Sequence, residues 1–231
     1  MGLGFIGGFS NVAQPPRSYS TSFPLTENPM SEGGIWTNGS TFSQGAATKG
    51  NVQTAGKAYG NMVSFDGTNY DDSLACLSGF GPNHEVTCTL VNLGGFAGYS
   101  LEAEILLRST ITSSVVHQYE VDCVWGGQGI ALVRWDMDST SPNSFTQLRG
   151  LVTNETPFAN GDQVYASIVG TLITVKYKSG AGAFSTVFTY DTASDPVKYS
   201  TGNPGIGFWN ETGDASLRPN FAWGSFAANT L

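Results

Sequence analysis

Two short alternating runs of acidic side chains are the residues of this chain whose types and spacing could do chemistry. Glu120 and Asp122 flank Val121, and Glu102 and Glu104 flank Ala103. In an extended chain residues two apart share a face, so each pair presents two carboxyls to the same neighbour. Paired carboxyls do acid and base work when their surroundings push their proton affinities apart. The residues between and beside them, Leu101, Ile105, Tyr119 and Cys123, are apolar. The pattern therefore predicts an acidic, solvent-facing side and an apolar, core-facing side for each run.

A second set of residues suits recognition. Sugar faces stack on aromatic rings, and sugar hydroxyls need directional polar partners. Trp135-Asp136 and Trp209-Asn210 place a ring beside such a partner, and Tyr177 adds a ring with its own hydroxyl. These five are the candidate glycan contacts, while Trp36 and Trp125 are assigned to the core. Cys76, Cys88 and Cys123 have neither the even count of a disulfide framework nor the spacing of a zinc site, and are expected as free core thiols. No Ser elbow, Walker loop or dinucleotide fingerprint is present.

The elements that must position these residues read as strands. Val86, Cys88 and Leu90 alternate with Thr87 and Thr89, and Tyr119, Val121, Cys123 and Trp125 alternate with Gln118, Glu120 and Asp122. A Gly turn at Gly126-Gly127-Gln128 leads into the run from Gly129 to Trp135. Val164 to Val169 and Leu172 to Tyr177 flank Gly170-Thr171, and the run from Phe184 to Phe188 follows the turn at Ser179-Gly180-Ala181-Gly182. No twelve-residue stretch combines a helical stripe with good helix formers, so the fold class is all-β, a sandwich or barrel of short strands.

Composition agrees. Charged residues are only 12% of the 231, whereas glycine contributes 30, as turn-rich β structure requires. The length suits one large β domain. A formal net charge of -8 and scattered cations argue against nucleic acid, and no apolar run is long enough for a helical membrane span. The first cation is Arg17, behind Pro15 and Pro16, so no signal peptide is read. Residues 1–22 read as an extended N-terminal arm in which Phe5, Ile6 and Phe9 are candidate assembly contacts. Three apolar side chains in a Gly-rich segment are expected to lie against another copy or a particle protein.

In order along the chain, several segments resemble the laminin-G-like and glycosidase-family-16-like jelly-roll modules of the concanavalin A-like superfamily. Phe23, Asn28, Pro29 and Trp36 fit the opening segment, His84 to Leu90 the next strand, and Ile105 to Arg108 an Arg-ended strand. Gly161-Asp162 resembles the opening of a long hairpin, Gly202 to Phe208 a Gly-x-Pro-Gly-Ile-Gly-Phe turn, and Phe221 to Phe226 the closing aromatic strand. The resemblance covers residues 23–231 and implies a two-sheet antiparallel jelly roll. Such modules commonly carry an acidic residue beside the closing aromatics, linked with a structural calcium. Here the run is Asn220-Phe221-Ala222-Trp223-Gly224, so no cofactor is expected, and Asp66 or Asp71-Asp72 with backbone carbonyls are the remaining oxygen ligands a calcium could use.

The resemblance also names chemistry to look for. Retaining glycosidases on this fold place two carboxylates about 5 Å apart on one strand, in a Glu-x-Asp-x-x-Glu pattern. Glu120 and Asp122 match its first two acids, but Trp125 occupies the third position. Polysaccharide lyases on jelly rolls use Arg, Gln, His and Tyr; Arg108, His117, Gln118, Tyr177 and Lys178 occur in that order, with a spacing that does not fit. The expectation is therefore a non-catalytic jelly roll displayed on a particle, such as a virus or phage decoration, fibre or tail-associated protein, or on a surface array. It would be assembled in the cytoplasm, associate with its own copies or a capsid protein, and bind cell-surface polysaccharide. A lyase or glycoside hydrolase is the alternative.

Overall fold

The computed structural model describes residues 17–44, 47–61, 72–95, 99–126, 129–138, 140–141, 144–153, 157–210 and 214–231. Fourteen strands of three residues or more are labelled here in chain order: β1 Ser18–Thr21, β2 Gly50–Ala55, β3 Ala58–Gly60, β4 Ser73–Cys76, β5 His84–Asn92, β6 Leu101–Ile111, β7 Val116–Val124, β8 Gly129–Met137, β9 Phe145–Thr153, β10 Gln163–Val169, β11 Leu172–Lys178, β12 Ser185–Asp191, β13 Asn203–Asn210 and β14 Phe221–Thr230. Among the described residues, helix is confined to three single 3-10 turns.

One sheet runs β9-β8-β7-β6-β13-β4, and the other runs β2-β3-β14-β5-β10-β11-β12. Pairing is antiparallel throughout both, except that Gly50 and Asn51 of β2 run parallel to Ser73 and Leu74 of β4 and so join the two sheets at one edge. The fold is a concanavalin A-like jelly roll.

Period-two patterning builds the core. Ala103, Ile105, Leu107, Tyr119, Val121, Cys123, Ile130 and Leu132 of the first sheet face Val86, Cys88, Val164, Ala166, Ile168, Ile173 and Val175 of the second, all buried in one cluster. The three cysteines are free and buried. Cys88 and Cys123 lie in this core, and burial holds both thiols well above their ordinary pKa.

The resemblance segments mark the ends of the sandwich. At Arg108 the first sheet bulges, with a left-handed φ of 48°, and the guanidinium donates to the carbonyls of Pro82, Tyr199 and Gly170 at 2.7–2.8 Å. Gly202, at φ 131°, packs on that backbone so closely that any Cβ would collide with the Arg108 carbonyl. His84 accepts from Arg108 N at 3.2 Å, and its burial lowers its pKa to about 4.

Two expectations change. The arm does not extend to residue 22: Ser18–Thr21 pairs with Phe226–Asn229 of β14, so the domain begins by Arg17. Four alternating residues without a strong apolar face give no local sign of such a strand. Phe5, Ile6 and Phe9 lie outside the described residues. The acidic face is also not solvated. Glu104, Glu120 and Asp122 are all buried, because a distant segment covers part of that face.

Candidate functional site

The outer face of the first sheet divides along its strands. At one end Leu106, Ile111, Val116, Val133, Trp135 and Met137 pack with Leu74 and Cys76 beneath Phe42, which arrives from the loop before β2. At the other end the same alternation carries acids. Glu104 of β6 is in register with Asp122 of β7, and Leu106 with Glu120, so the side chains stand as cross-strand neighbours. On the opposite side Glu104 meets Gly207 of β13, where a Cβ would collide with the Glu104 carboxylate. Glycine at 207 leaves room for the buried acid, and a larger residue there would have to push the Glu104 carboxyl aside.

Between this acidic patch and the edge strand β9 lies a cavity of about 190 Å³. Asp72, Glu102, Glu120, Asp122, Val124, Ala131, Val133, Trp135, Phe145, Gln147 and Leu151 line it. Phe145 and Leu151 are 41% and 39% exposed and form an apolar rim, whereas Asp122 is 4% exposed and lies deeper. The Trp135 ring packs on Phe145 at 5.2 Å between centroids, and Lys49 Nζ sits 4.2 Å from the Trp135 ring centre.

The acids differ in how they are held. Lys49 pairs with Asp72 at 2.9 Å, both side chains almost wholly buried. Gln118 donates to Glu120 at 2.8 Å and accepts from Ser109 at 2.9 Å, which fixes its amide orientation. Both carboxyl oxygens of Glu104 and Oδ1 of Asp122 are buried without a hydrogen-bond partner among the described residues. Burial is the main reason these groups resist ionisation, and their mutual repulsion adds to it. Glu120 is pushed up to about 7 and Glu102 to about 8, each by burial and then by the Asp72 charge. Glu104 and Asp122 lie well above the ordinary carboxylate range for the same reasons, with Glu120 the largest charge acting on each. At neutral pH the patch therefore holds protons and can donate hydrogen bonds as well as accept them. Among the described residues, no three His, Cys, Asp or Glu side chains are grouped to hold a metal ion.

Of the five proposed glycan contacts, only Trp135 lines this cavity. Asp136 points to the other side of β8, bound by Arg134 at 2.8 Å. Trp209, the register partner of Glu102, and the buried Asn210 instead line a second, much smaller pocket together with Glu102, Phe208 and Arg218. Tyr177 lies in the inter-sheet core and donates to Asp162. The lyase-like set is dispersed: Arg108 ties the sandwich end, His117 stacks on Tyr199 at 4.7 Å, and Gln118 braces Glu120. Trp125 packs against Phe221 and the inter-sheet core, so the third position of the glycosidase pattern faces away from the cavity, and Val124 takes the place beside Asp122. Asp72, named from the sequence only as an oxygen ligand a calcium could use, lines the cavity instead, and Asp66 and Asp71 lie outside the described residues. Lys49, which reaches the site through Asp72, and Phe145, Gln147 and Leu151 were not found from the sequence. Lys49 comes from a segment with no periodic pattern, and the other three from an irregular edge strand.

No family model matches the chain, and no curated protein matches it. Solved structures do. The carbohydrate-binding module CBM66 from Bacillus subtilis aligns over 87% of this chain and 95% of its own at 11% identity, TM-score 0.52. The CBM2 module of the evolved Dit of Lactobacillus casei BL23 phage J-1 aligns over 93% and 96% at 13% identity, TM-score 0.51. A glycoside hydrolase family 16 endo-glucanase from Bacteroides ovatus aligns over 90% and 98% at 11% identity, TM-score 0.50. At such identities the likeness is one of fold.

Proposed function

We propose that the outer-face cavity binds a polysaccharide and that the protein works as a non-catalytic jelly-roll module displayed on a particle or surface array. The observation that carries this reading is the lining of the cavity. An aromatic and apolar rim, Phe145 and Leu151 over Trp135, adjoins carboxyls that present donors and acceptors together. That combination suits the alternating apolar faces and hydroxyl edges of a sugar. The likeness to two carbohydrate-binding modules, one of them part of a phage Dit, supports both halves of the reading. Screening the protein on a glycan array, with Phe145→Ala alongside, tests binding. Retained glycans whose affinity falls about tenfold or more in the variant agree with it, since one stacking contact contributes about 1–2 kcal/mol. An array with no retained glycan contradicts it. Display predicts that removing residues 1–16, which include Phe5, Ile6 and Phe9, weakens self-association or particle attachment in native mass spectrometry; unchanged assembly contradicts it.

Hydrolysis is the second reading, favoured by one arrangement: Glu120, pushed up to about 7 by burial, stands beside Asp122 in an open cavity. Such a group could act as a proton donor at neutral pH. Val124 beside Asp122 and Trp125 turned to the core count against a same-strand partner. Release of reducing sugar from a β-glucan that disappears in Glu120→Gln would establish hydrolysis in place of binding alone.

A further inference from the structure

We propose that the outer face of the second sheet is a separate glycan site, taken by a polysaccharide of uronate units. Side chains at alternate positions of β10 and β11 point away from the inter-sheet core, and there they set two rings beside two cations. Tyr165 and Phe184, the residue before β12, stand edge to face with centroids 6.0 Å apart, and Phe184 is 39% exposed. Lys176, the register partner of Tyr165, holds its Nζ 5.0 Å from that ring centre, and Lys178 holds its Nζ 5.9 Å from the Phe184 centre. The cavity beneath Phe145 lies on the outer face of the other sheet, so the two sites share no residue and neither depends on the other.

The side chains around the rings are held in place before any ligand arrives. Tyr165 donates its hydroxyl to Glu85 at 2.9 Å, and Asn229 donates to the other oxygen of the same carboxylate at 3.1 Å. Lys178 donates to Gln163 at 3.3 Å, Gln163 to Thr89 at 3.3 Å, and Ser225 to Thr89 at 2.8 Å. Groups already fixed lose little freedom when a ligand docks on them. Charge then selects the ligand. Neither lysine forms an ion pair among the described residues. The strands of this sheet contribute two acids: Glu85 of β5, which already accepts two hydrogen bonds, and Asp191 at the far end of β12, which accepts from Ala193 N at 2.9 Å. Around the rings, two lysines against the Glu85 carboxylate leave a cationic face on a chain of net charge -8.

Lysines two residues apart on one strand leave the backbone about 7 Å from each other on the same face. A polymer with a carboxylate on every ring can meet both ammonium groups while a ring face stacks on Phe184 or Tyr165. A neutral glycan would leave the cations without partners, and an acidic peptide would bring charge without a flat sugar face. Exposed charge contacts of this kind are individually weak and screened by salt, so the preference for the acid is a salt-sensitive one.

The test is calorimetric titration of the full chain with galacturonate tetramer, its methyl ester and tetraglutamate, at low salt and again with salt added. The acid should bind at least about fivefold more tightly than the ester, the scale of two exposed charge contacts, and the ratio should shrink as salt rises. Lys176→Gln/Lys178→Gln should bring the ratio between the two sugars toward one, and Phe184→Ala should weaken both, with circular dichroism confirming that each variant is folded. Lysine acylation of the parent protein, read by mass spectrometry, locates the site: the bound acid should protect Lys176 and Lys178 and leave Lys57 and Lys198 unchanged. Equal affinity for acid and ester overturns the proposal, as does failure of both sugars to bind. Tetraglutamate binding as tightly as the acid tetramer also overturns it, because the charge and not the sugar would then be recognised. Binding of the acid without protection of Lys176 and Lys178 overturns it too, and leaves the cavity reading standing.

Discussion

Asp162 is a useful case at the scale of the residue. Its carboxylate accepts from Ala159 N at 2.7 Å and Gly180 N at 2.9 Å, and from the Tyr177 hydroxyl. One buried side chain thus closes the turn before β10, the turn after β11, and the end of the core between them. The Gly161-Asp162 pair noted in the sequence is explained by this: Gly161 supplies a φ of 91° at a tight turn, and Asp162 supplies the acceptor. Replacing Asp162 with Ala leaves two amide protons and a buried hydroxyl without their acceptor. Asp162→Ala should lower the unfolding free energy by about 3 kcal/mol, measured by urea denaturation. A loss below about 0.5 kcal/mol would show that water replaces the carboxylate. The same logic at Gly207 predicts that Gly207→Val, which must displace the Glu104 carboxylate, destabilises the fold by about 2 kcal/mol or more in the same assay.

At the scale of the element, the strands with one apolar face were legible and those without one were not. The runs over 86–90, 101–105, 119–124, 164–169 and 172–177 all fall inside strands, with the alternating apolar residues turned inward, and Trp125 follows in the turn after β7. The edge strand β9 was missed because almost nothing on it is buried, and β1 because four half-exposed residues carry no period. On β8 both faces are apolar, Ile130 and Leu132 inward and Ala131, Val133 and Trp135 outward, so the sequence could not say on which side Trp135 lies. The acidic runs show the same limit. Alternation assigned Glu104 and Asp122 to the face opposite the core, which is where they are, but that face is covered by segments distant in the chain, Phe42 over its apolar end and the Lys49–Asp72 pair at its acidic end. The β1 strand carries its own prediction. Removing residues 1–16 should leave the melting temperature almost unchanged, while removing residues 1–21 should lower it by several degrees, because β14 loses its partner and Arg17 its bonds to Thr230. Equal melting temperatures for the two truncations would contradict a structural role for β1.

At the scale of the whole molecule, the buried acids and His84 set opposite pH dependences. Glu120 and Glu102 are raised from 4.5 to about 7 and about 8, so their contribution to stability is complete below pH 4.5 and is lost as pH rises through those values. His84 is lowered from 6.5 to about 4, so its contribution is complete above pH 6.5 and is lost as pH falls toward 4. Between pH 6.5 and 8 only the acids act in this balance. The melting temperature should therefore fall across that window, and the double variant Glu120→Gln/Glu102→Gln should make the fall shallower without abolishing it, since Glu104 and Asp122 still hold protons only in the folded state; a flat profile in the parent protein would contradict the buried-acid account. The most direct measurement of the central claim is hydrogen exchange with and without a saturating concentration of the best glycan retained on the array. The account predicts added protection over Glu120–Val124, Ala131–Trp135 and Phe145–Leu151, the three strands that line the cavity. Protection confined to the second sheet, or no change at saturation, would contradict it.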